Sequence, residues 1–442
     1  MSQRRALQRL VVPVMALVVG LSVAGCGSSA AEQDPNGRLD IWVRKPPGTE
    51  TEQTAKDLAA KFTEKTGIPT KVTAIFEDFE TKLSQAAAQK QLPDIVINDT
   101  AQLGTLVKQG LVREIAKDSV EGHDQLTPIS WDAATAADGK AYAVPFSAQT
   151  LALLIRKDWR EKVGAGVPST WDELNALATK FTKDDPDGNG EADTYGYVVP
   201  GSTKRGYTAW YFSSFLWAAG GDFLTGEPGA YTPAINAPAS LAAVEWFQKS
   251  FCDGLVVPGA ATLETTQAHP DFESGVGGIY LTGPYMMGKF DAKPGKDLYE
   301  VVPLPAGPGG APAALAEGEN VYLMAGSDNQ DGQEKFAEFA VSVEGQTLAM
   351  DGDQPGNIVR LPVNSTVDLA AVRTDPRWQI FDEIYQSSAR YVPQVPEWTP
   401  FLQSSAETLN AVVSNCDTQA GPALDELAAT FTEELGRQGA GG

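Results

Sequence analysis

Downstream of residue 38, the chain alternates between short apolar runs and segments whose apolar residues recur at helical spacing. Such runs are typical of buried strands, and they lie at residues 39–43, 72–76 and 94–97. Between the first two runs, an apolar stripe from Ala55 to Phe62 predicts a helix that ends at Gly67. This alternation indicates an α/β fold in which mainly parallel sheets carry helices on both faces.

Later segments continue the alternation. Strand character returns at residues 142–158, and helical spacing returns at residues 171–181, 241–251 and 424–435. The Gly- and Pro-rich residues 303–312 cannot form regular structure and predict a segment that crosses between domains. In proteins with such sheets, ligands bind beyond the carboxyl ends of the strands. This places candidate ligand contacts at Arg44 and Lys45, Phe76 and Glu77, and Asn98 and Asp99.

Length and composition narrow the function. At 442 residues the chain exceeds what one hydrophobic core usually serves, so two domains are expected. A formal net charge of −23 disfavours nucleic acid, which proteins bind through clustered Lys and Arg. The only two histidines, His123 and His269, lack the neighbours of a metal site or a catalytic triad. An enzyme is therefore disfavoured, although 57 acidic residues leave a carboxylate pair for glycoside hydrolysis open.

The amino terminus has the pattern of a bacterial lipoprotein signal. A positive segment with Arg4, Arg5 and Arg9 precedes the uncharged residues 10–24, and Cys26 follows small residues. The pattern predicts a signal peptide at residues 1–25, a lipidated Cys26 and a tether at residues 26–37. The protein would then be held at the outer face of the cytoplasmic membrane. A signal anchor or a buried first helix is the alternative.

Two cysteines remain besides Cys26. In an oxidising compartment the pair Cys252 and Cys416 predicts one disulfide, with two separate buried thiols as the alternative.

One acidic loop has the spacing of a cation site. Oxygen ligands at alternate positions, with glycines between them, suit calcium, and the candidates are Asp185, Asp187, Asn189, Glu191 and Asp193. The bidentate Glu that would complete an EF-hand loop is absent, since Gly196 stands there. The same composition is equally typical of an Asp/Gly/Asn turn.

Several aromatic residues lie near glycines, prolines or predicted loops. Flat rings stack on the apolar faces of sugars while polar side chains take the hydroxyls, and the candidates include Trp210, Tyr211, Phe212, Tyr280, Tyr285 and Trp398. Taken singly, each ring is more often part of a core.

In order along the chain, several short motifs resemble extracellular solute-binding protein family 1, which includes the maltose-binding type. They lie at residues 39–43 (LDIWV), 92–98 (LPDIVIN), 142–158, 168–173 (PSTWDE), 278–285 (GIYLTGPY), 318–320 and 361–363. The resemblance implies a two-lobed periplasmic-binding-protein-like fold joined by a hinge. It assigns residues 38–147 and 312–358 to the first lobe and residues 148–311 and 359–437 to the second. The crossing segments would lie near residues 148–151, 310–316 and 356–360.

Carried over position by position, the resemblance implies a ligand site between the lobes. Its residues are Arg44, Glu77, Asn98, Asp99, Gln149, Tyr211, Tyr285, Glu319 and Trp398. The family often has Trp where Tyr285 stands, which leaves the size of the sugar open.

The sequence thus predicts a monomeric lipoprotein that captures a mono- or oligosaccharide and delivers it to the permease of an ABC importer. It implies no cofactor apart from the calcium ion considered above. The alternatives are a binding protein for a glycerophosphodiester or another polar metabolite, which Arg44 and Lys45 keep open, a secreted carbohydrate-active enzyme, and a surface adhesin.

Overall fold

The computed structural model describes residues 37–442. The predicted signal peptide and the lipidation site Cys26 lie outside the described residues, as does the predicted tether except for Gly37. Within residues 37–442, no helix combines the length and the apolar composition that crossing a membrane requires.

The strands form two main sheets and one small two-stranded sheet. They are β1 (Leu39–Arg44), β2 (Thr70–Ile75), β3 (Ile95–Asp99), β4 (Val144–Thr150), β5 (Ala152–Arg156), β6 (Tyr195–Val198), β7 (Leu224–Thr225), β8 (Thr232–Pro233), β9 (Gly277–Thr282), β10 (Tyr299–Val302), β11 (Ala314–Leu323), β12 (Leu361–Pro362) and β13 (Ala389–Arg390).

Helices flank the sheets and fill the connections between strands. They are α1 (Glu50–Thr66), α2 (Phe79–Ala88), α3 (Leu103–Lys108), α4 (Pro128–Asp132), α5 (Lys157–Lys162), α6 (Trp171–Lys183), α7 (Tyr207–Ala218), α8 (Pro238–Cys252), α9 (Thr265–Ser274), α10 (Met287–Phe290), α11 (Gln330–Val341), α12 (Val343–Met350), α13 (Leu369–Val372), α14 (Arg377–Ser388), α15 (Thr399–Ser414) and α16 (Ala420–Gln438).

The larger sheet brings three carboxyl strand ends to one edge. Its order is β12-β4-β11-β3-β1-β2, and β13 pairs with β11 beside this path. β1 lies parallel to β2 and to β3, so the strand ends at Arg44, Ile75 and Asp99 face the same side. This edge is where a ligand site is expected in an α/β sheet.

The α/β fold with helices around its sheets is confirmed, but the expectation of mainly parallel sheets is not. β11 is antiparallel to β3 and β4. In the smaller sheet, ordered β10-β5-β9-β6, only β6 and β9 are parallel. β11 enters the larger sheet at the edge where β3 ends, with Glu319 opposite Asp99, and it leaves beside Ile95. Entry from that edge makes its pairing antiparallel.

The chain passes between the sheets at several places. Leu151 alone separates β4 of the larger sheet from β5 of the smaller one, and residues 303–313 lead back from β10 to β11. A third crossing was predicted at residues 356–360, but the chain does not leave the larger sheet there. β12 still pairs with β4 and β13 pairs with β11, so the chain stays with the larger sheet beyond residue 360. Only after β13 do α15 and α16 pack on α7 and α8.

The predicted helices form where their apolar stripes meet a sheet. In α1 the buried stripe includes Leu58 and Phe62, and Gly67 ends the helix in the left-handed conformation (φ 75°), donating its N–H to the carbonyl of Thr63. In α6 the Thr170 side chain accepts a hydrogen bond from the backbone N–H of Glu173 and caps the helix. α7 differs, because nearly all of its residues are buried.

The predicted disulfide is confirmed. Cys252, at the end of α8, is bonded to Cys416 in the loop between α15 and α16, with a Cα–Cα distance of 5.8 Å. The bond ties together helices that come from distant parts of the chain.

Candidate functional site

Charged side chains meet where β1 and β3 end beside β11. Arg44 is the last residue of β1 and Asp99 the last of β3, and the Nη1 of Arg44 donates to the Oδ2 of Asp99 at 2.8 Å. The sheet register sets Glu319 of β11 directly opposite Asp99. The strands therefore bring together three residues that the sequence predicted as site residues.

A buried ion pair lies next to this contact. The Nζ of Lys45, which is 4% exposed, bonds the Oε1 of Glu319. Burial lowers the pKa of Lys45 to about 8, and the pairing with Glu319 opposes that shift. Removing either partner would leave the other charge buried and unmatched.

Arg44 is also held from the side of α2. Its guanidinium lies 5.1 Å from the ring centre of Phe76, and its Nε lies 3.6 Å from the Oε1 of Glu80. Glu77, the predicted site residue, is exposed. Glu80, in the first turn of α2, is the acid that reaches Arg44, and Glu77 lies outside this contact.

A second carboxylate, Glu317 of β11, links the larger sheet to α7. Its Oε1 accepts a hydrogen bond from the Nε1 of Trp210 at 2.7 Å, and its Oε2 accepts from the Nε2 of Gln149 at 3.3 Å. Gln149 lies opposite Glu317 in the β4–β11 ladder. Burial raises the pKa of Glu317 to about 7, so the side chain is poised to change its charge near neutral pH.

Tyrosine side chains surround Glu317. The hydroxyl of Tyr391 donates to the Glu317 backbone carbonyl at 3.4 Å. Tyr285, half-buried after β9, accepts a hydrogen bond from the hydroxyl of Thr282 at 3.1 Å, and the charge of Glu317 contributes to a raised Tyr285 pKa whose main cause is burial. Tyr207 packs edge-on to Trp210 at 6.4 Å between ring centres. Aromatic rings and a carboxylate therefore lie close together here.

Several buried polar atoms of the cluster have no hydrogen-bond partner within residues 37–442. They are the Nδ2 of Asn98, the Oε1 of Gln149 and the Oε2 of Glu319, whereas the Nε of Arg44 and the Oε1 of Glu80 lie 3.6 Å from each other as an ion pair. Buried polar groups are almost always hydrogen-bonded, since an unmet one costs about 1–3 kcal/mol. Their concentration at one edge indicates a site for a ligand with many hydrogen-bonding groups.

Two predicted site residues lie elsewhere. Tyr211 is 1% exposed, and its ring lies among those of Phe215 and Phe247 in the core. Trp398 is 6% exposed and stacks on Phe401 at 5.6 Å between ring centres. Both rings therefore pack against other rings of the core, although the Nε1 of Trp398 has no hydrogen-bond partner within residues 37–442, and their roles as ligand contacts stay untested predictions.

The sequence offered Trp210 as one of several candidate rings but assigned Tyr211 to the site instead, and it missed Glu317. Trp210 precedes Tyr211 on a helix buried nearly all round, so periodicity alone could not say which ring faces the strands. A signal for Glu317 did exist. It lies two positions before Glu319 on the same strand, so both side chains project from one face of the sheet.

The acidic loop after α6 is explained by its own hydrogen bonds. The carboxylate of Asp185 accepts the backbone N–H groups of Gly188 and Gly190, and Asp187 accepts both the N–H and the side-chain amide of Asn189. Within residues 37–442, no group of three or more His, Cys, Asp or Glu residues is arranged to hold a metal ion. The geometry is that of an Asp/Gly/Asn turn, and calcium binding stays an untested prediction.

Known proteins resemble this chain in sequence and in fold. Residues 45–347 match the family model of the bacterial extracellular solute-binding proteins. A maltooligosaccharide ABC transporter solute-binding lipoprotein of Streptococcus pneumoniae is 24% identical over 352 residues, which cover 76% of this chain and 76% of that protein.

Two solved structures show the same two-lobed fold. The GacH receptor of Streptomyces glaucescens, solved unliganded and with acarbose, matches with a TM-score of 0.77 at 20% identity, covering 91% of this chain and 99% of that chain. An ABC transporter solute-binding protein of Thermotoga lettingae bound with α-D-tagatose has a TM-score of 0.75 at 22% identity, covering 90% of this chain and 99% of that chain. The sequence match spans most of the chain, and the protein belongs to the family of bacterial extracellular solute-binding proteins.

Proposed function

We propose that the chain binds a small carbohydrate at the cluster around Arg44, Asp99, Glu317 and Glu319 and delivers it to an ABC importer. The observation that carries the proposal is the set of buried, unpartnered polar atoms at the carboxyl strand ends, which lies beside aromatic side chains. A sugar matches both features, because its hydroxyls are donors and acceptors and its ring faces are apolar.

The roles of the site residues follow from their chemistry. Asn98 carries a free N–H donor and Gln149 and Glu319 carry free acceptors, so together they can bind a hydroxyl as acceptor or as donor. Trp210 and Tyr285 supply the rings. The relatives support a sugar, since the S. pneumoniae protein serves a maltooligosaccharide transporter and the two solved structures were determined with acarbose and with α-D-tagatose.

An anionic ligand such as a glycerophosphodiester fits less well. Arg44 is paired with Asp99 and Glu80, and Lys45 is paired with Glu319. Each cation is therefore already matched by carboxylates, and a phosphate would have to displace one of them. The cluster as a whole is acidic rather than basic.

Delivery follows from closure of the two lobes on the ligand. Trp210 on α7 and Glu317 on β11 already connect the helices around the smaller sheet with the larger sheet. A ligand that contacts both bodies stabilises the closed form by its differential affinity for that form. Lipidation of Cys26 would keep the protein close to the permease, and this part of the proposal rests on the sequence pattern and on the lipoprotein relative.

A thermal-shift screen of the purified full chain tests the proposal. The panel contains neutral mono- and oligosaccharides, amino acids and glycerophosphodiesters. A ligand at about 100 times its Kd should add about 2.7 kcal/mol of stability. Stabilisation by saccharides alone supports the proposal, and mass spectrometry of the recovered sugar would exclude turnover. Stabilisation by phosphodiesters alone, or by no saccharide, contradicts it.

A further inference from the structure

Glu317 differs from the other acids of the site in having no cationic partner. Its two oxygens accept hydrogen bonds only from the neutral donors of Trp210 and Gln149. Among residues 37–442, no Lys, Arg or His nitrogen lies within 4.0 Å of its carboxylate oxygens. By contrast, Asp99 is paired with Arg44, and Glu319 with Lys45.

Burying a carboxylate without a cation is costly. Neutral hydrogen bonds replace only part of the lost hydration, and the remainder appears as a preference for the protonated form. The raised pKa of Glu317 agrees with this, and the nearby charge of Asp99 adds to the shift while that of Arg44 opposes it. A positively charged group of a ligand would offset the cost of burying this carboxylate and would form a charge-assisted hydrogen bond with it.

The groups that face Glu317 suit a positive group of modest size. Trp210 contacts it from α7, Gln149 from β4 and Tyr391 from the segment after β13, and Tyr285 lies close enough for the charges to interact. Aromatic faces attract ammonium groups through the quadrupole of the ring. A carboxylate among such rings is a recognised arrangement for binding an amine.

The neighbouring polar atoms favour a ligand that carries further hydrogen-bond donors besides an amine. Gln149 has an unpartnered Oε1 and Glu319, which is 8% exposed, has an unpartnered Oε2. Both are acceptors, and they lie on the strands that carry Glu317 or pair beside it. Hydroxyl or ammonium donors of one ligand could meet them together with Glu317.

We propose that Glu317 binds the ammonium group of an amino sugar, so that the preferred ligands are saccharides with a free amine. This inference rests on the proposed function, since it names the class of sugar taken by the same site. The ammonium forms a charge-assisted hydrogen bond with the carboxylate and lies against the rings. The ring hydroxyls then reach the acceptors and donors at the strand ends.

Matched sugar pairs test the proposal on the purified full chain by isothermal titration calorimetry at about pH 7, close to the pKa of Glu317, where an amine with a pKa of about 7.7–8.0 still carries a proton. The probes are D-glucosamine, D-glucose and N-acetyl-D-glucosamine, with the corresponding galactose series. The amine should bind at least about tenfold more tightly than its neutral counterparts. Glu317→Gln should abolish this preference, because an uncharged amide no longer forms a charge-assisted hydrogen bond with the ammonium group. Glu433→Gln, which removes an exposed acid outside the site, is the control for net charge.

The outcomes separate this inference from the proposed function. Neutral sugars binding as well as or better than amines would overturn the amine subsite and leave sugar binding intact. An amine preference that survives Glu317→Gln would also overturn it, because the ammonium would then be bound elsewhere. Binding of no saccharide at all would overturn the proposed function together with the inference. The comparison of sugars in the unmodified chain needs no variant, so a poorly folding Glu317→Gln would not prevent the test.

Discussion

At the scale of single residues, Trp210 and Tyr211 are adjacent in sequence but have different surroundings, since the first contacts Glu317 and the second packs among aromatic rings of the core. The strand ends predicted Arg44, Asn98 and Asp99 correctly as neighbours, because parallel strands place their carboxyl ends at one edge. The same reasoning could not choose between Trp210 and Tyr211. Successive residues of a helix point about 100° apart, and α7 is apolar on every side, so only the packing of the whole molecule decides which ring reaches Glu317.

The packing of Trp398 predicts a role in stability. Its buried ring stacks on Phe401 and meets the edge of Phe223. Trp398→Ala should therefore lower the free energy of unfolding by about 3–5 kcal/mol, measured by urea denaturation. Sugar affinity of the protein that remains folded should be close to normal. An unchanged unfolding midpoint together with lost binding would return Trp398 to the ligand site.

Trp210 should contribute to binding through its indole N–H. Trp210→Phe keeps a ring but removes the donor to Glu317, a hydrogen bond to a charged group worth about 1.5–3 kcal/mol. We expect the affinity for the sugar found in the screen to fall about tenfold or more by calorimetry. Trp217→Phe is a matched control on the same helix, since its Nε1 donates to Asp222 instead. Equal losses in the two variants would contradict a specific role.

At the scale of elements, local patterns predicted which helices and strands form better than they predicted how the strands pair. The helix ending at Gly67 and the strands at residues 39–43 and 72–76 agree with α1, β1 and β2. The antiparallel direction of β11 was not predictable, because it depends on a pairing between Glu319 and Asp99 that lie far apart in sequence. β12 was assigned to the wrong lobe for a similar reason, since a strand of two residues carries no periodic signal.

The disulfide should stabilise the contact between helices α8 and α15. It closes a loop with a sequence separation of 164 residues, and in the chain-entropy account a loop of that size is worth about 4–5 kcal/mol. Cys252→Ser with Cys416→Ser should lower the Tm, and dithiothreitol should lower the Tm of the unmodified chain by the same amount. Reductant should leave the double variant unchanged. A reductant-sensitive double variant would show that the effect lies elsewhere.

At the scale of the whole molecule, an ion-pair network joins α14, which packs on the larger sheet, to the segment between β9 and β10 of the smaller one. Arg377 donates to both oxygens of Asp291 at 2.8 and 2.7 Å, and its Nε donates to the Oδ1 of Asp375 at 3.0 Å. Lys296 completes the network with a 2.9 Å contact to Asp375. The guanidinium also lies 4.9 Å from the ring centre of Tyr299, the first residue of β10.

Because of this network, the free energy of unfolding should depend on pH in the acidic range. Burial alone would raise the pKa of Asp375, but hydrogen bonds from Arg377 and Lys296 hold it below its ordinary value. A carboxyl with a depressed pKa contributes stability at neutral pH and loses that contribution as the pH falls through its folded-state value. Arg377→Met should thus cost about 2–3 kcal/mol near neutral pH. The Tm difference between the native chain and the variant should then be constant from about pH 7 to about pH 5 and shrink from there down to about pH 2.

Scanning calorimetry across that range checks the expectation, with Arg390→Met as the matched control. Arg390 pairs with Asp222 at 2.7 Å, but its side chain is 47% exposed, so its removal should cost less than about 1 kcal/mol. A Tm difference for Arg377→Met that stays constant over the whole range would show that the guanidinium acts by packing against Tyr299 rather than by its charge. A shrinking difference would show that the charge matters, and that the two sheets are held together partly by ion pairs formed well away from the sugar site.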